Sequence, residues 1–177
     1  MTFTATNLPG VLIVDLDLHN DERGFFARSW CSAEFLNAGL NPRLMQCNIS
    51  FNRKRHTLRG MHFQAEPHEE AKVVRCTKGA IYDVVVDARQ DSPTFRQWIA
   101  VELNDANRRM VYIPEGLAHG YQTLTDDTEV FYQMSEVFHP ESARGVLWND
   151  PVLQIEWPAA GNRIISERDL AFQPIRL

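Results

Sequence analysis

Short runs of β-branched and aromatic residues recur along the chain, and several alternate between apolar and polar positions. A period of two is typical of strands that bury one face. The sharpest case is Ile81 to Ala88, which reads Ile-Tyr-Asp-Val-Val-Val-Asp-Ala. The other predicted strands are Val11–Leu18, Phe25–Cys31, Leu44–Phe51, Lys72–Thr77, Trp98–Leu103, Met110–Ile113, Gly120–Leu124 and Glu129–Met134.

Turn signals such as Lys78-Gly79 and Asp91-Ser92-Pro93 separate these runs. Many short strands at this spacing predict an all-β fold, either an antiparallel sandwich or a jelly-roll barrel. Helix is predicted at two places only, Ser32–Gly39 and Ser166–Leu170, each with its first serine as the N-cap. With no repeat or long linker, residues 1–177 are predicted to form a single domain.

Composition narrows the class of protein. The chain has 177 residues, 44% of them hydrophobic and 23% charged, as in an ordinary globular domain. The net charge of −5 gives no basic footprint for nucleic acid. No apolar run approaches the roughly 20 residues of a membrane span, and no signal-peptide pattern opens the chain, which predicts a cytoplasmic protein without a membrane partner. The three widely spaced cysteines are interpreted as small buried hydrophobes.

Polar residues stand at inward positions of several strand-like runs. Alternation turns His62, Lys72 and Tyr132 toward the interior, and His119 opens a strand after a Pro-Gly turn. Such groups are costly inside a protein unless they are solvated, paired or used. A barrel with a wet mouth could hold them. Taken singly, each residue also has a purely structural explanation, and spacing alone does not decide between the two.

Metal binding is the main competing use of histidines in a small β-barrel. Barrels of the cupin type bind metal through two histidines separated by one residue, a following glutamate and a later histidine. Here the second position after His62 is Gln64, which is a poor ligand for first-row metals. Glu66, His68 and His119 could still contribute. We predict no metal site.

A set of motifs occurs in one order along nearly the whole chain. They are Leu8-Pro9-Gly10-Val11, Asp21-Glu22-Arg23-Gly24-Phe25-Phe26, Leu58-Arg59-Gly60-Met61-His62-Phe63-Gln64, Lys72-Val73-Val74, Asp83 to Arg89, Asp91-Ser92-Pro93-Thr94-Phe95, Ile113 to Gly120, Trp148-Asn149-Asp150-Pro151, Trp157-Pro158 and Ser166-Glu167-Arg168-Asp169. In these motifs the chain resembles the dTDP-4-dehydrorhamnose 3,5-epimerase family.

The resemblance implies a jelly-roll barrel, a homodimer, and no metal or organic cofactor. It implies an isomerase whose substrate is a nucleotide diphosphate-linked 4-keto-6-deoxyhexose, inverted at C3, C5 or both through an enolate. By resemblance, His62 is the general base, Tyr132 the general acid and Asp169 the carboxylate that partners the histidine. Lys72 and His119 match groups that contact the sugar.

The resemblance also implies a binding region for the rest of the substrate. Arg59 and Arg23 match nucleotide-sugar contacts, and the segment of Arg23, with Phe25 and Arg28, is donated by the neighbouring subunit. Arg168 matches a basic residue that touches the substrate. The strand Gln46-Cys47-Asn48 occupies the place of the family's nucleotide-binding strand, where Gln46 and Asn48 are the predicted contacts.

These implied roles are chemically coherent. A C–H bond beside a ketone is a very weak acid, so charge developing on the ketone oxygen must be stabilised, which Lys72 can do. Histidine titrates near neutral pH and suits a base. A carboxylate such as Asp169 fixes the imidazole tautomer. Inversion then requires a proton from the opposite face, and the phenol of Tyr132 is a plausible donor.

Three positions depart from the family pattern. Arg28 and Ala143 each stand where the family usually has Glu, and Phe138 replaces the usual Tyr that stacks on thymine. Phe138 keeps the stacking face, whereas Arg28 reverses a charge. We hypothesise that the reaction is conserved and the nucleotide differs, with Arg28 and Ala143 setting the choice of base. A CDP- or GDP-linked sugar, or inversion at one carbon only, stays open. A metal-dependent cupin enzyme and a non-catalytic sugar-nucleotide binding module are the competing hypotheses.

Overall fold

Residues 1–175 are described by a computed structural model. In chain order, the elements are β1 (Thr2–Ala5), β2 (Leu12–Asp15), β3 (His19–Asp21), β4 (Gly24–Phe26), α1 (Ser32–Asn37), β5 (Gln46–Asn52), β6 (Leu58–Gln64), β7 (Lys72–Lys78), β8 (Ala80–Asp87), β9 (Trp98–Asn104), β10 (Met110–Ile113), β11 (Leu117–Thr123), β12 (Thr128–Met134), β13 (Ala143–Gly145) and α2 (Glu167–Leu170). Neither helix is long and apolar enough to cross a membrane.

The strands form two large sheets and one hairpin. One sheet has six strands in the order β1-β2-β10-β7-β12-β5, the other has five in the order β13-β6-β11-β8-β9, and β3 pairs with β4. Every pairing between these strands is antiparallel. Neighbours in a sheet are mostly distant in sequence, as expected of a jelly roll. The prediction of an antiparallel jelly-roll barrel is confirmed.

The main core lies between the two large sheets. Its buried members come from both: Val74, Val111 and Val130 from the six-stranded sheet, and Ile81, Val85 and Leu103 from the five-stranded one. Strand β8 is buried on both faces, because a second cluster covers its outer side. That cluster contains Val84, Val86, Val146 and Leu153, with Trp157 packed against it. The C-terminal third of the chain therefore closes the outer face of the five-stranded sheet.

Several predicted boundaries need correction. Helix α1 begins at Ser32, but its N-cap is Cys31, which makes no side-chain cap hydrogen bond, so the predicted role of Ser32 was wrong. The predicted strand Phe25–Cys31 is paired only up to Phe26, in the β3–β4 hairpin. Strand β11 begins at Leu117, so His119 lies within the strand rather than opening it. For α2, the predicted N-cap is confirmed, since the Ser166 hydroxyl accepts a hydrogen bond from the Asp169 amide.

The cysteines differ in exposure. Cys76 is buried in the main core, as predicted. Cys31 is only half-buried, and Cys47 is exposed, so the prediction of a buried hydrophobe is wrong for Cys47. The reason is the position of β5 at the edge of its sheet, with an outer face that no described element covers.

Two glycines allow β6 and β11 to approach closely. A Cβ atom at Gly60 would lie 2.5 Å from the Gly120 Cα, and one at Gly120 would lie 2.8 Å from the Arg59 carbonyl oxygen. Gly60 also has a φ of +136°, a conformation that L residues with a side chain rarely adopt. Next to this contact, His62 on β6 is registered directly opposite His119 on β11. The glycine contact thus sets the spacing of two histidines.

Replacing Gly60 with alanine tests this contact. We expect Gly60→Ala to lower the free energy of unfolding by about 2–5 kcal/mol, from backbone strain and from overpacking against Gly120. Gly161→Ala is the matched control, because a Cβ there would meet nothing within 4 Å. Urea unfolding of both variants measures the difference. A Gly60→Ala protein as stable as Gly161→Ala would contradict the close approach.

Candidate active site

A cavity of about 420 Å³ opens between the two large sheets. The five-stranded sheet contributes His62 and His119, and the six-stranded sheet contributes Lys72 and Tyr132. The described residues that line it are Gln46, Asn48, Ser50, Arg59, His62, Phe63, Gln64, Glu70, Lys72, His119, Tyr121, Tyr132, Met134, Phe138, Ala143, Arg144 and Arg168. The polar side chains that were predicted from alternation to face inward therefore line one cavity.

His62 is held by a carboxylate from the far end of the chain. Its Nε2 lies 2.7 Å from Asp169 Oδ1, and the Gly60 amide donates to Asp169 Oδ2 at 3.1 Å. Asp169 is 4% exposed. Because an ionised carboxylate only accepts hydrogen bonds, Nε2 is the donor, and the neutral ring carries its lone pair on Nδ1. Within residues 1–175, no hydrogen bond involves that Nδ1, so it is free to accept a proton.

The pKa of Asp169 reflects these contacts. Burial acts to raise it, but the hydrogen bond and charge of His62, together with the Gly60 amide, lower it below its ordinary value. Asp169 therefore remains ionised at neutral pH. A permanent negative charge beside Nε2 stabilises the imidazolium that forms when Nδ1 takes a proton.

Lys72 lies on the other wall of the cavity and is almost fully buried. Its ammonium is 2.6 Å from Glu70 Oε1 and donates to the His62 carbonyl oxygen at 3.3 Å. Both side chains of the ion pair are less than a tenth exposed. An ammonium has three donors, so one is left for a group inside the cavity.

Tyr132 is half-buried on the same sheet as Lys72. Burial raises its pKa above the ordinary value, and the charge of Glu70 acts in the same direction, while the nearby Arg59 guanidinium opposes them. The phenol is therefore protonated at neutral pH and can donate. Arg59 itself is fixed by a 2.8 Å hydrogen bond from its Nε to the Asn52 side-chain oxygen.

His119 is part of a second histidine–carboxylate pair. Its Nε2 lies 2.7 Å from Asp83 Oδ2, and Asp83 is fully buried. Burial raises the pKa of Asp83, and His119 and then Lys72 act to lower it. The sequence predicted a role for His119 but not its partner. Two positions before Val85 on β8, Asp83 faces inward, which alternation along that strand could have indicated.

The predicted nucleotide-side residues fall into two groups. Gln46, Asn48, Arg59, Phe138 and Arg168 line the cavity. The Gln46 side chain also orders its surroundings, accepting from the Phe138 amide and donating to Asn48.

The N-terminal group lies outside this cavity. The Arg23 side chain is 86% exposed and pairs with Asp21, and Arg28 pairs with Glu34 at 2.6 Å. Phe25 is exposed and lies under the Arg108 guanidinium, 4.3 Å from it. Within the described protomer, none of these three side chains reaches the cavity that they were predicted to serve.

Comparison with known proteins places the chain in a family. The sequence profile described as dTDP-4-dehydrorhamnose 3,5-epimerase matches residues 5–176. A protein of that name from Methanothermobacter thermautotrophicus is 42% identical over 176 residues, covering 98% of this chain and 94% of its own. The chain belongs to the dTDP-4-dehydrorhamnose 3,5-epimerase family. The predicted family is confirmed, and so is the prediction of an isomerase of the epimerase class.

Solved structures of this epimerase family share the fold. A dTDP-6-deoxy-D-glucose-3,5-epimerase from Legionella pneumophila, in complex with dTDP-4-keto-L-rhamnose, has a TM-score of 0.93 and 33% identity, covering 98% of this chain and 92% of that one. A 3′-monoepimerase from Streptomyces bikiniensis, in complex with dTDP-quinovose, has a TM-score of 0.90 and 31% identity, covering 96% and 86%. The same architecture therefore accompanies both double and single epimerisation.

A candidate metal-ligand group lies outside the epimerase cavity. Potential ligand atoms of His68, His139 and Glu141 lie within 4.8 Å of one another. However, the two imidazole rings are stacked, with centroids 3.5 Å apart and planes at 6°. The lone pair of an imidazole nitrogen lies in the plane of its ring. In two parallel stacked rings these lone pairs lie in parallel planes, so they converge poorly on one tetrahedral metal ion. Of the other metal ligands considered from the sequence, His119 forms a hydrogen bond with Asp83, and Glu66 is exposed.

Sequence reasoning missed other residues of the epimerase cavity. The polar ones are Ser50, Glu70, Tyr121 and Arg144. Glu70 had a usable signal, since it stands two positions before Lys72 and so shares its face. The Tyr121 hydroxyl accepts a hydrogen bond from the Asn52 side-chain amide and shares another with the Ser50 hydroxyl, and these contacts join strands far apart in sequence.

The Asp169 carboxylate should give the epimerase a defined pH dependence of stability. Its folded-state pKa lies below the value of about 3.9 expected in the unfolded chain, so it stabilises the fold above about pH 4 and loses that effect as the pH falls. We expect Asp169→Asn to cost about 1–3 kcal/mol of unfolding free energy at pH 7, with the gap from the parent protein narrowing by pH 3. Urea unfolding at pH 7, 5 and 3 measures it, with the exposed Asp91→Asn as control. A gap that stays constant over this range would refute the assignment.

Proposed function

We propose that this chain is an epimerase that inverts C3, C5 or both in a nucleotide diphosphate-linked 4-keto-6-deoxyhexose, with the dTDP-linked sugar of its relatives as the first candidate. Proton abstraction gives an enolate, and reprotonation on the other face gives the epimer. Membership of the dTDP-4-dehydrorhamnose 3,5-epimerase family supports this assignment. A single domain and a cytoplasmic location stay predictions.

One observation carries the proposal: a histidine and a tyrosine line the same cavity from opposite sheets. His62 belongs to the five-stranded sheet and Tyr132 to the six-stranded sheet, and both line the cavity. A planar enolate between these walls would have one face toward the histidine and the other toward the phenol. Inversion requires this arrangement, because a single base on one face returns the proton to the side it came from.

The proposed proton inventory balances. Nδ1 of His62 takes the proton from the carbon beside the ketone, and the electron pair of that C–H bond moves to the ketone oxygen. The free donor of Lys72 stabilises the enolate oxygen in a site largely withdrawn from water. Tyr132 then delivers a proton to the opposite face. The resulting imidazolium and phenolate exchange their proton with solvent to restore the starting enzyme.

The substrate's diphosphate is proposed to bind at the arginines of the cavity. Arg59, Arg144 and Arg168 line it, and within residues 1–175 none of them forms an ion pair with a carboxylate. Guanidinium groups bind phosphate oxygens in pairs, which suits a diphosphate. Gln46, Asn48 and Phe138 line the same cavity and are proposed to contact the nucleoside or the sugar on either side of the diphosphate.

The proposed assembly is a homodimer in which the β3–β4 hairpin of one protomer completes the cavity of its partner. The hairpin supports this, since Arg23 and Phe26 are largely exposed and, within residues 1–175, β3 and β4 pair only with each other. The outer face of β5 supports it too. Ile49 and Phe51 on that face are 66% and 48% exposed, which is typical of a surface that a partner covers.

Solvent deuterium tests the chemistry. In heavy water, the parent protein should place deuterium at C3, C5 or both of dTDP-4-keto-6-deoxyglucose, as read by NMR. We expect His62→Ala to lose exchange and inversion together, by about 100- to 10,000-fold. Tyr132→Phe should lose inversion by a similar factor and retain exchange, because His62 still removes and returns a proton on its own face. Tyr82→Phe, remote from the cavity, is the control.

The same assay distinguishes the epimerase from the two competing functions. A binding module would incorporate no deuterium with any nucleotide form, and a metal-dependent cupin enzyme would lose activity when treated with a chelator. Running the dTDP, CDP and GDP forms of one sugar side by side tests base selection. Equal turnover of the three would reject the hypothesis that Arg28 and Ala143 choose the base.

Subunit mixing tests the shared site. Arg23→Ala removes the donated arginine, and His62→Ala removes the base, so each variant alone should be nearly inactive at low substrate concentration. Random mixing makes half of the dimers mixed, and each mixed dimer holds one complete site of two, so activity should recover to about a quarter of the parent value. Co-expression with two different affinity tags allows the mixed dimers to be purified. A mixture no more active than its parents would overturn the donated segment.

A further inference from the structure

Glu70 is a buried carboxylate with one oxygen unused. Its Oε1 pairs with the Lys72 ammonium at 2.6 Å, and the Glu70 side chain is 2% exposed. Its Oε2 is buried and has no hydrogen-bond partner among the residues that the structure describes. Glu70 also lines the cavity beside Tyr132 and His119. An ionised oxygen in such a place requires a donor, because leaving it unpaired is costly.

The protein itself offers little to fill this need. The Lys72 ammonium is already shared between Oε1 and the His62 carbonyl oxygen. Asp83 and Asp169 each pair with a histidine, and Asp83 Oδ1 likewise has no partner among the described residues, so neither carboxyl donates to Oε2. The Tyr132 phenol is close enough for the charge of Glu70 to affect its pKa, but it forms no hydrogen bond with Oε2. A donor for Oε2 can therefore come from a molecule in the cavity, where the substrate is proposed to bind.

The chemistry of a 4-keto-6-deoxyhexose identifies that donor. If the ketone oxygen meets the free donor of Lys72, the substituents next to it lie near Glu70, which shares the ion pair. On one side, C5 carries the ring oxygen and the C6 methyl group, neither of which can donate. On the other side, C3 carries a hydroxyl. The 3-hydroxyl is therefore the one donor adjacent to the ketone.

We infer that Glu70 Oε2 accepts a hydrogen bond from the 3-hydroxyl of the sugar, so that Glu70 is a specificity-determining residue for substrates hydroxylated at C3. This inference rests on the proposed function for the identity of the sugar. Hydrogen bonds to a charged acceptor are about twice as strong as those between neutral groups. A site built to bind a hydroxyl therefore discriminates strongly against a ligand that lacks the hydroxyl.

Binding of two unreactive ligands tests the contact without depending on turnover. We would measure dissociation constants of dTDP-6-deoxyglucose and dTDP-3,6-dideoxyglucose by titration calorimetry. The parent protein should bind the 3-hydroxylated ligand about 10- to 100-fold more tightly. In Glu70→Ala that ratio should fall to about threefold or less, and in Glu70→Gln, which keeps the shape and a neutral hydrogen bond, it should be intermediate.

The matched control is Glu69→Gln, which neutralises the preceding glutamate outside the cavity and should keep the parent ratio. Binding of dTDP alone shows whether each variant retains a folded site, and Glu70→Gln remains informative if the alanine variant does not fold. A ratio near one in the parent protein, as when water satisfies Oε2, overturns the inference. A ratio unchanged in both Glu70 variants overturns it as well.

These results stay separate from the test of the proposed function. If deuterium is incorporated but the ratio of the two dissociation constants does not change in the Glu70 variants, the inference is overturned and the proposed epimerase function stands. A ratio that depends on Glu70 without any deuterium incorporation supports the contact and overturns the reaction. If neither sugar nucleotide binds, both fail together.

Discussion

The carboxylate of Asp169 is the contact on which the site depends. It accepts hydrogen bonds from the Gly60 amide and the His62 ring, and so fastens α2 to strand β6 across a sequence separation of 107 residues. The C-terminal segment around it is anchored in the same region, with Phe172 edge-on to His62 and in contact with Gly145. A side chain at Gly145 would displace that ring. One interaction thus anchors α2 to the five-stranded sheet and sets the tautomer of the proposed base.

The two-sheet architecture explains why the chemistry can be divided between walls. Antiparallel strands bury one face each, so every strand near the mouth can contribute one inward polar group without disturbing its outer face. Lys72 and Tyr132 lie on neighbouring strands of one sheet, while His62 and His119 are registered opposite each other on the other. Because the core below is apolar and close-packed, these walls cannot shift independently. The distance between the proposed base and the proposed acid is then a property of the fold rather than of a mobile loop.

Much of the site could be predicted from sequence, for a specific reason. Alternation gives the face of a residue, and it turned His62, Lys72 and Tyr132 inward before their contacts were known. Alternation cannot predict which side chains form hydrogen bonds with each other. Asp169 was predicted as the partner of His62 only through family resemblance. Asp83 and Glu70 were missed, although they also face inward. Exposure depends on neighbours far along the chain, which is why Cys47 on an edge strand was wrongly expected to be buried. The burial of both faces of β8 could likewise not be predicted, since the segment that covers its outer face follows some 60 residues later in the chain.

The positively charged and histidine side chains of the cavity fall into two groups, those paired with a carboxylate and those without one. His62, His119 and Lys72 each have their own carboxylate, in Asp169, Asp83 and Glu70. Such pairs hold these side chains in place and balance their charges within the cavity. Arg59, Arg144 and Arg168 have no carboxylate of their own within residues 1–175, which leaves an anion the natural partner. A buried ion pair costs desolvation and seldom adds net stability over an apolar pair. The His119–Asp83 and Lys72–Glu70 pairs are buried on both sides, so they are better explained by the proposed reaction than by the fold.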